Sequence, residues 1–259
     1  MITLLIDAAS FEAPEVRIEG EPYRHLFRAR RVAAGAELRI VDGKGRARWG
    51  QVARVERTSA VVALGEAAPH REPAFRLDLL VPTCRPERAS WLAEKATEIG
   101  VFAIRFLNTV RAPRELGPGT LDRLRRVAAA AVEQCHRSRL PEITGPHSWS
   151  EIGRLTGGAA QRWFLDLEVE SSLSPVGAAP CGRPGEGLET EQGGHIGPPL
   201  QDFPQGALLV GPEGGFAAEE RHGLLAACWR PVGLGERVLR LETAAVAGAA
   251  LILLSPSGI

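Results

Sequence analysis

The sequence predicts an α/β protein in which a mainly parallel sheet follows a small β-rich module. Up to about residue 69 the apolar residues occur in short, strand-like runs, whereas from residue 75 onward strand-like and helix-like patterns alternate. A polar, proline-bounded segment at residues 67–73 separates the two patterns. We therefore place a domain boundary near residue 72 and expect domains at residues 1–72 and 73–259.

A hairpin signal identifies the first module. Residues 37–41 and 49–55 have strand-like composition, and Asp42-Gly43-Lys44-Gly45 lies between them. Glycines in such a segment can take positive φ, which is typical of the tight turn of a β-hairpin. The module is therefore predicted to be built around antiparallel strands.

Positive charge is concentrated in this module, although the 259-residue chain has no net charge. Residues 23–57 contain ten basic and three acidic residues, whereas residues 168–205 contain one basic and six acidic residues. One or two helical turns at residues 22–31, with His25 and Leu26 among the inward residues, would carry arginines on their outer face. That face would either contact phosphate groups or simply be solvated, and the residues alone leave both interpretations open.

The second module is predicted from alternating elements. Residues 75–82 predict a buried strand, and Pro86 opens a helical pattern that Gly100 ends. Residues 101–107 predict the next strand, and residues 120–135 predict a long helix with one apolar face. Strand, helix, strand and helix in this order favour a parallel sheet.

The periodicity stops at residues 171–205, which are rich in Gly, Pro, Ser and Glu and predict disorder or, second, a mobile lid. It returns with a strand at residues 207–210, a helix at 219–228 and a strand at 231–234. The helical pattern at residues 243–254 is apolar nearly all round. We expect it to be buried in the domain or in a dimer contact.

Composition argues against several classes of protein. The four cysteines lie about fifty residues apart, without a Cys-x-x-Cys pair or a histidine at metal-ligand spacing, so no metal site is expected. The chain has no run of eighteen apolar residues, and the residues after Met1 lack the basic region of a signal peptide. We therefore expect a cytoplasmic protein that does not enter a membrane.

Two glycine-containing loops form the candidate binding site. Gly211-Pro212-Glu213-Gly214-Gly215 lies between a strand and a helix, and Leu234-Gly235 follows the next strand. Taken alone, the first loop is either a tight turn or a ligand loop, and it matches neither a Walker loop nor a Rossmann fingerprint. Loops at the carboxyl ends of parallel strands line one crevice, so together they predict a single pocket.

At these loops the sequence resembles the RsmE family, which methylates N3 of a uridine in small-subunit ribosomal RNA. The matching stretches are Gly-Pro-Glu-Gly-Gly-Phe at 211–216 and Leu-Gly-Glu-Arg-Val-Leu-Arg-Leu-Glu-Thr-Ala at 234–244. Support comes from Lys-Ala-Thr-Glu-Ile-Gly-Val at 95–101, from Glu-Gln-Cys-His-Arg-Ser-Arg-Leu-Pro-Glu-Ile at 133–143, and from the amino-terminal module. The sequence departs from the family pattern at three positions, with His136 in place of Gly, Glu236 in place of Pro and Leu241 in place of Thr.

The resemblance implies an architecture, a cofactor and partners. It implies a PUA-like β-barrel at residues 1–72 and a SPOUT-type α/β domain with a trefoil knot at residues 73–259. It further implies S-adenosylmethionine as the cofactor, small-subunit ribosomal RNA or the assembled subunit as the substrate, and a homodimer in which the partner completes the site.

The resemblance also implies roles for individual residues. The expected cofactor contacts are Val210, Gly211, Gly214, Gly215, Leu234, Gly235, Val238, Leu239 and Arg240. Arg137 and Arg240 are candidate catalytic residues, because either cation could stabilise the anion that forms when N3 loses its proton, and a structural role is open for both. The expected RNA contacts are Arg24, Arg28, Arg31, Arg137 and Arg139. His136 in place of Gly raises a question about the backbone beside Arg137.

Two other functions compete with this prediction. A basic β module joined to a degenerate cofactor fold could serve as a non-catalytic RNA-binding ribosome assembly factor. Alternatively, an enzyme of the same superfamily could modify another RNA. Binding of S-adenosylmethionine would argue against the first alternative, and a modification map of ribosomal RNA would separate the second.

Overall fold

The computed structural model describes residues 1–111, 116–166, 203–212 and 214–254. The chain forms two compact units. The first contains Met1–Glu72 and Ala129–Leu140, and the second contains Pro73–Ala128 and the described residues after Leu140. The predicted domain limits stay predictions. The predicted disordered segment at residues 171–205 lies almost wholly outside the described residues.

Five strands form the sheet of the first unit, in the order β1-β3-β4-β5-β2. Their bounds are β1 Thr3–Leu5, β2 Glu15–Glu19, β3 Glu37–Val41, β4 Ala47–Val55 and β5 Ser59–Ala67. Strands β1 and β3 are parallel, and the remaining pairs are antiparallel. The predicted turn joins β3 to β4 because the Asp42 carboxylate accepts hydrogen bonds from the backbone N–H groups of Lys44 and Arg46. Gly43 and Gly45 have φ of 69° and 110°.

A short helical segment precedes β3, as the sequence predicts. It comprises α1 (Gly20–Tyr23) and a following π-helical turn at Arg24–Ala29. Tyr23, Leu26 and Phe27 are buried in the same apolar core as the inward residues of the sheet. The prediction that His25 points inward is wrong, because His25 is exposed.

Six strands form the sheet of the second unit, in the order β11-β9-β10-β6-β7-β8. They are β6 Arg76–Pro82, β7 Ala103–Leu107, β8 Glu142–His147, β9 Gln161–Leu165, β10 Gln205–Val210 and β11 Arg230–Val232. Every neighbouring pair is parallel. The predicted α/β fold with a parallel sheet is therefore confirmed.

Helices lie between strands of this sheet, and the last helix among the described residues follows β11. The helices are α2 Pro86–Ile99, α3 Thr120–Cys135, α4 Ile152–Leu155, α5 Ala218–Ala226 and α6 Leu241–Leu254. Gly100 ends α2 with a φ of 111°, as predicted. Helix α6 packs against α2, β6 and β10. Gly248 permits this close packing, because a Cβ atom there would lie 2.9 Å from Cδ2 of Leu208.

Two features of the described residues bear on the predicted class of protein. No helix among them is long and apolar enough to cross a membrane. Within the same residues, no three His, Cys, Asp or Glu side chains are grouped in a way that could hold a metal ion.

Candidate functional site

A cavity of about 810 Å³ lies in the second unit at the carboxyl ends of β9, β10 and β11. Leu165 and Asp166 contribute from β9 and the residue after it, Val210 from β10 and Val232 from β11. Helix α5 contributes one further wall. The volume lies within the range of about 300–1,000 Å³ that is usual for ligand sites. We refer to this cavity as the cleft.

The first glycine loop has a defined conformation. The N–H of Gly215 donates to the carbonyl of Pro212 at 2.8 Å, and Gly215 has a φ of 70°. A Cβ atom at Gly211 would lie 3.0 Å from the ring of Phe216. That ring is packed edge-on against Phe164, with the centroids 5.6 Å apart. Gly215 therefore suits the turn, and Gly211 allows the close approach of Phe216.

The second loop lies between β11 and α6, and its Gly235 has a φ of 94°. The structure brings eight of the nine predicted cofactor residues together as lining of the cleft. These eight are Val210, Gly211, Gly214, Gly215, Leu234, Gly235, Val238 and Leu239.

Arg240 is the predicted residue that does not line the cleft, although its neighbours Leu239 and Leu241 do. Its side chain is exposed, and its carbonyl accepts the N–H of Ala244 at 2.8 Å, which helps to form the first turn of α6. This contact supports a structural role for the backbone of Arg240. Its catalytic role stays a prediction.

Four charged residues that line the cleft were not predicted from the sequence, namely Arg111, Asp166, Arg221 and Arg237. Asp166 accepts a hydrogen bond from Nε of Arg221 at 2.7 Å, and its side chain is only 8% exposed. Arg111 lies after β7 and donates from Nη1 to the carbonyl of Gly214. The sequence position of Asp166 and Arg111 could have identified them as site residues. Each follows the carboxyl end of a strand, where ligand sites form in parallel sheets.

Arg137 lies in the first unit and is almost fully buried with Glu72. The two side chains are 4% and 2% exposed. Nε and Nη2 of Arg137 donate to one Glu72 oxygen at 2.9 and 2.6 Å, and the other oxygen accepts the N–H groups of Ser138 and Arg139 at 2.8 and 2.9 Å. The carboxylate thus fixes three consecutive residues. The geometry supports a structural role, and catalysis by Arg137 stays a prediction.

The backbone at His136 has the conformation that a glycine would adopt at this position of the family pattern. It has a φ of 62°, a left-handed conformation that Gly adopts readily and other residues adopt at a cost. Nδ1 of His136 lies 2.8 Å from Oγ1 of Thr3 and shares a hydrogen bond with it. Burial, together with the positive charges of Arg71, the amino terminus and Arg39, lowers the pKa of His136.

The other predicted RNA contacts also lie in the first unit. Arg24, Arg28 and Arg31 are exposed residues of the helical segment and the turn after it. Arg28 donates to the carbonyl of Arg57 at 2.6 Å. Arg139 is half-buried and donates to the carbonyl of Lys44 at 2.9 Å. Their roles in RNA binding stay predictions.

Comparisons with known proteins match both parts of the chain. A family model described as RNA methyltransferase domain matches residues 70–253, and a model described as RNA methyltransferase PUA domain matches residues 18–64. Among curated proteins, ribosomal RNA small subunit methyltransferase E from Mycobacterium bovis is 28% identical over 245 residues, which cover 88% of this chain and 82% of the relative. The Bacillus subtilis protein of the same name is 22% identical over 241 residues, covering 90% and 87%.

A solved structure has the same fold. It is ribosomal RNA small subunit methyltransferase E from Neisseria gonorrhoeae bound to S-adenosylmethionine. The two chains are 20% identical, with a TM-score of 0.78, over 97% of this chain and 96% of the other. The family model alone covers more than half of the chain. The predicted resemblance is therefore confirmed, and the chain belongs to the RsmE family of RNA methyltransferases.

Proposed function

We propose that this protein transfers a methyl group from S-adenosylmethionine to N3 of a uridine in small-subunit ribosomal RNA. The observation that carries the proposal is the cleft, in which two glycine loops from widely separated parts of the sequence form one cavity at the carboxyl ends of parallel strands. The similar structure from N. gonorrhoeae is bound to this cofactor, and the curated relatives are named for this class of RNA.

The residues of the cleft fit such a cofactor. Glycines at positions 211, 214, 215 and 235 leave the backbone open to close approach by a ligand. Leu165, Val210, Leu234 and Leu239 supply apolar surface suited to an adenine ring. We propose that the loop backbones at these positions hold the adenosine and methionine parts.

When bound, S-adenosylmethionine supplies a methyl group on a cationic sulfonium. Leu165, Val210 and Leu234 would lie against the bound cofactor, and apolar surroundings favour a neutral thioether over a sulfonium. The two loops also fix the orientation of the bound groups. Correct alignment of the methyl carbon with the attacking nitrogen lowers the activation barrier of methyl transfer by a large amount.

The first unit is the proposed RNA-binding module. It matches the PUA family model over residues 18–64 and carries Arg24, Arg28 and Arg31 on its exposed helical segment. Such guanidinium groups bind phosphates of the RNA backbone irrespective of base sequence. Because the proposed substrate is ribosomal RNA, we also propose a cytoplasmic location.

We further propose that the protein is a homodimer and that its carboxyl-terminal segment is knotted. Trp91 of α2 is 42% exposed, and Leu251 and Leu254 of α6 are 39% and 63% exposed. Because α2 and α6 pack together, these residues add apolar surface to one pair of helices, which a second copy could cover. The proposal of a trefoil knot rests on the family resemblance.

Transfer of a labelled methyl group tests the function directly. The protein is incubated with radiolabelled S-adenosylmethionine and small subunits from cells that lack it, and the labelled nucleotide is then mapped. We expect label at one uridine and at its N3 atom. Subunits from cells that contain the protein are the control, and they should accept almost none.

Three outcomes would contradict the proposal. Binding of S-adenosylmethionine in a calorimeter without any methyl transfer would count against methylation of this substrate, and absence of cofactor binding would favour the non-catalytic assembly factor. Label on another RNA would instead favour a different target. Sedimentation of the protein at micromolar concentration tests the dimer separately.

A further inference from the structure

Arg111 is held against the first glycine loop while its charge stays exposed. Nη1 donates to the carbonyl of Gly214 and lies 3.5 Å from the carbonyl of Gly215. The aliphatic stem packs on the loop, because a Cβ atom at Gly214 would lie 3.3 Å from Cδ of Arg111. The carbonyls of Gly214 and Gly215 therefore orient the guanidinium at the cleft, and carbonyl groups do not neutralise its charge.

The charges of the cleft are unbalanced. Asp166 is the single carboxylate among the described residues that line it, and Arg221 already binds that carboxylate. Arg111 and Arg237 line the same cavity, and within the described ranges neither has a carboxylate within ion-pair distance. Two arginine charges therefore face the cleft without an anionic partner among these residues.

The proposed cofactor supplies no net negative charge. S-adenosylmethionine carries a sulfonium and an ammonium against one carboxylate, so it is itself a net cation. RNA carries one negative charge on each phosphate, and the planar fork of a guanidinium suits two oxygens of a phosphate. Nε and Nη2 of Arg111 have no hydrogen-bond partner among the described residues and are available for such a contact.

We propose that Arg111 is an RNA-positioning residue that binds a phosphate beside the target nucleotide. The inference rests on the proposed function. Since the guanidinium is docked on the loop that forms the cofactor site, a phosphate bound there would place the RNA backbone at a fixed position relative to that loop. Arg221 is less suited to this role because its Nε is already bound to Asp166.

The salt dependence of RNA binding tests the proposal. Binding of a labelled small-subunit RNA fragment is measured by fluorescence anisotropy over a series of KCl concentrations, for the wild type and for Arg111→Gln. Loss of one phosphate contact should reduce the slope of log K against log salt concentration by about one. Cofactor binding, measured by calorimetry, should stay unchanged.

Two further variants make the result specific. Arg126→Gln is the matched control, since Arg126 is an exposed arginine of α3 that does not line the cleft, and it should keep the wild-type slope. Arg111→Lys keeps the charge and should keep most of the slope while binding RNA more weakly, because lysine cannot make the two-pronged contact. Circular dichroism checks that each variant is folded.

Three results would overturn the phosphate contact. An unchanged slope in folded Arg111→Gln would remove it outright. Weaker cofactor binding with an unchanged slope would assign Arg111 to the cofactor or to the loop alone. A lower kcat with unchanged RNA affinity would assign it to the reacting base. Methyl transfer by the wild type, assayed in parallel, separates these results from failure of the proposed function itself.

Discussion

Removing the negative charge of Glu72 should destabilise the first unit strongly. This carboxylate, 2% exposed, accepts two hydrogen bonds from Arg137 and two from the backbone of the next residues. Arg39, which is fully buried, donates to the carbonyl of Arg137. Burial and the charge of Arg71 lower the pKa of Arg39, whereas the charge of Glu72 raises it. Glu72→Gln would therefore leave two buried cations without their neutralising anion.

The size of the destabilisation follows from the burial of the ion pair between Glu72 and Arg137. Removing one partner of a buried ion pair costs about 3–5 kcal/mol, because the other charge stays desolvated. Gln keeps one carbonyl oxygen, so we expect the two backbone N–H bonds to survive and do not add their loss. The expected decrease in the free energy of unfolding is about 3–5 kcal/mol.

Urea unfolding followed by circular dichroism measures the change, and amide hydrogen exchange at Ser138 and Arg139 locates it in the first unit. Glu56→Gln is the matched control, because Glu56 also binds two arginines but its side chain is 38% exposed. Exposed ion pairs contribute at most about 1 kcal/mol. A loss in Glu72→Gln no larger than in Glu56→Gln would refute the reasoning.

The remaining predictions concern a left-handed residue, a cofactor loop and a surface carboxylate. The variant His136→Gly should be more stable than His136→Ala by about 1 kcal/mol and should melt at a higher temperature. Both variants lose the side-chain hydrogen bond to Thr3, but only Ala keeps the strain of the left-handed backbone. Equal melting temperatures would contradict this. The variant Gly235→Ala should weaken binding of S-adenosylmethionine, measured by calorimetry, about tenfold. The control is Gly119→Ala, which should bind the cofactor normally, because Gly119 also has a positive φ and open space around it but lies outside the cleft. Equal affinities of the two variants would argue against the loop as the cofactor site. Hydrogen bonds from a backbone N–H and from a neighbouring arginine lower the pKa of Glu151 to about 2 from 4.5, so its stabilising contribution is complete above pH 4.5 and lost as the pH falls toward 2. An NMR titration of Glu151 that gives an ordinary pKa would contradict this last prediction.

Helices with a long periodic pattern were predictable from the sequence, whereas four of the strands were not. Helix α3 presents one apolar face over sixteen residues, which makes its 3.6-residue period visible. Strands β1, β2, β5 and β8 were not predicted. Strand β1 has three residues, and β8 contains a proline, which weakens a strand pattern. Strand β5 runs to Ala67, where the sequence instead suggests the start of a linker.

In the candidate site, local motifs were predictable from the sequence and long-range contacts were not. Both loops of the cleft are continuous motifs that follow strands, so the sequence alone is enough to group their residues into one site. The partner of Arg137 could not be found in this way, because Glu72 lies 65 residues earlier in the chain and no local pattern pairs the two. Arg111 lies 103 residues before the carbonyl that it binds. Contacts of this range depend on how the strands are ordered in space.

The availability of an arginine to an anionic substrate depends on whether a carboxylate already neutralises it. Arg137 fits the family motif and was a natural catalytic candidate, yet both of its hydrogen bonds to Glu72 would have to break or be shared before its charge could act on a base. Arg111 gives only one nitrogen to backbone carbonyls and keeps its charge uncompensated among the described residues. Carbonyl oxygens orient a guanidinium without cancelling its charge, whereas a buried carboxylate does both. The arginines that contact substrate should therefore be sought first among those of the cleft that are held by carbonyls, and Arg111 is held in this way.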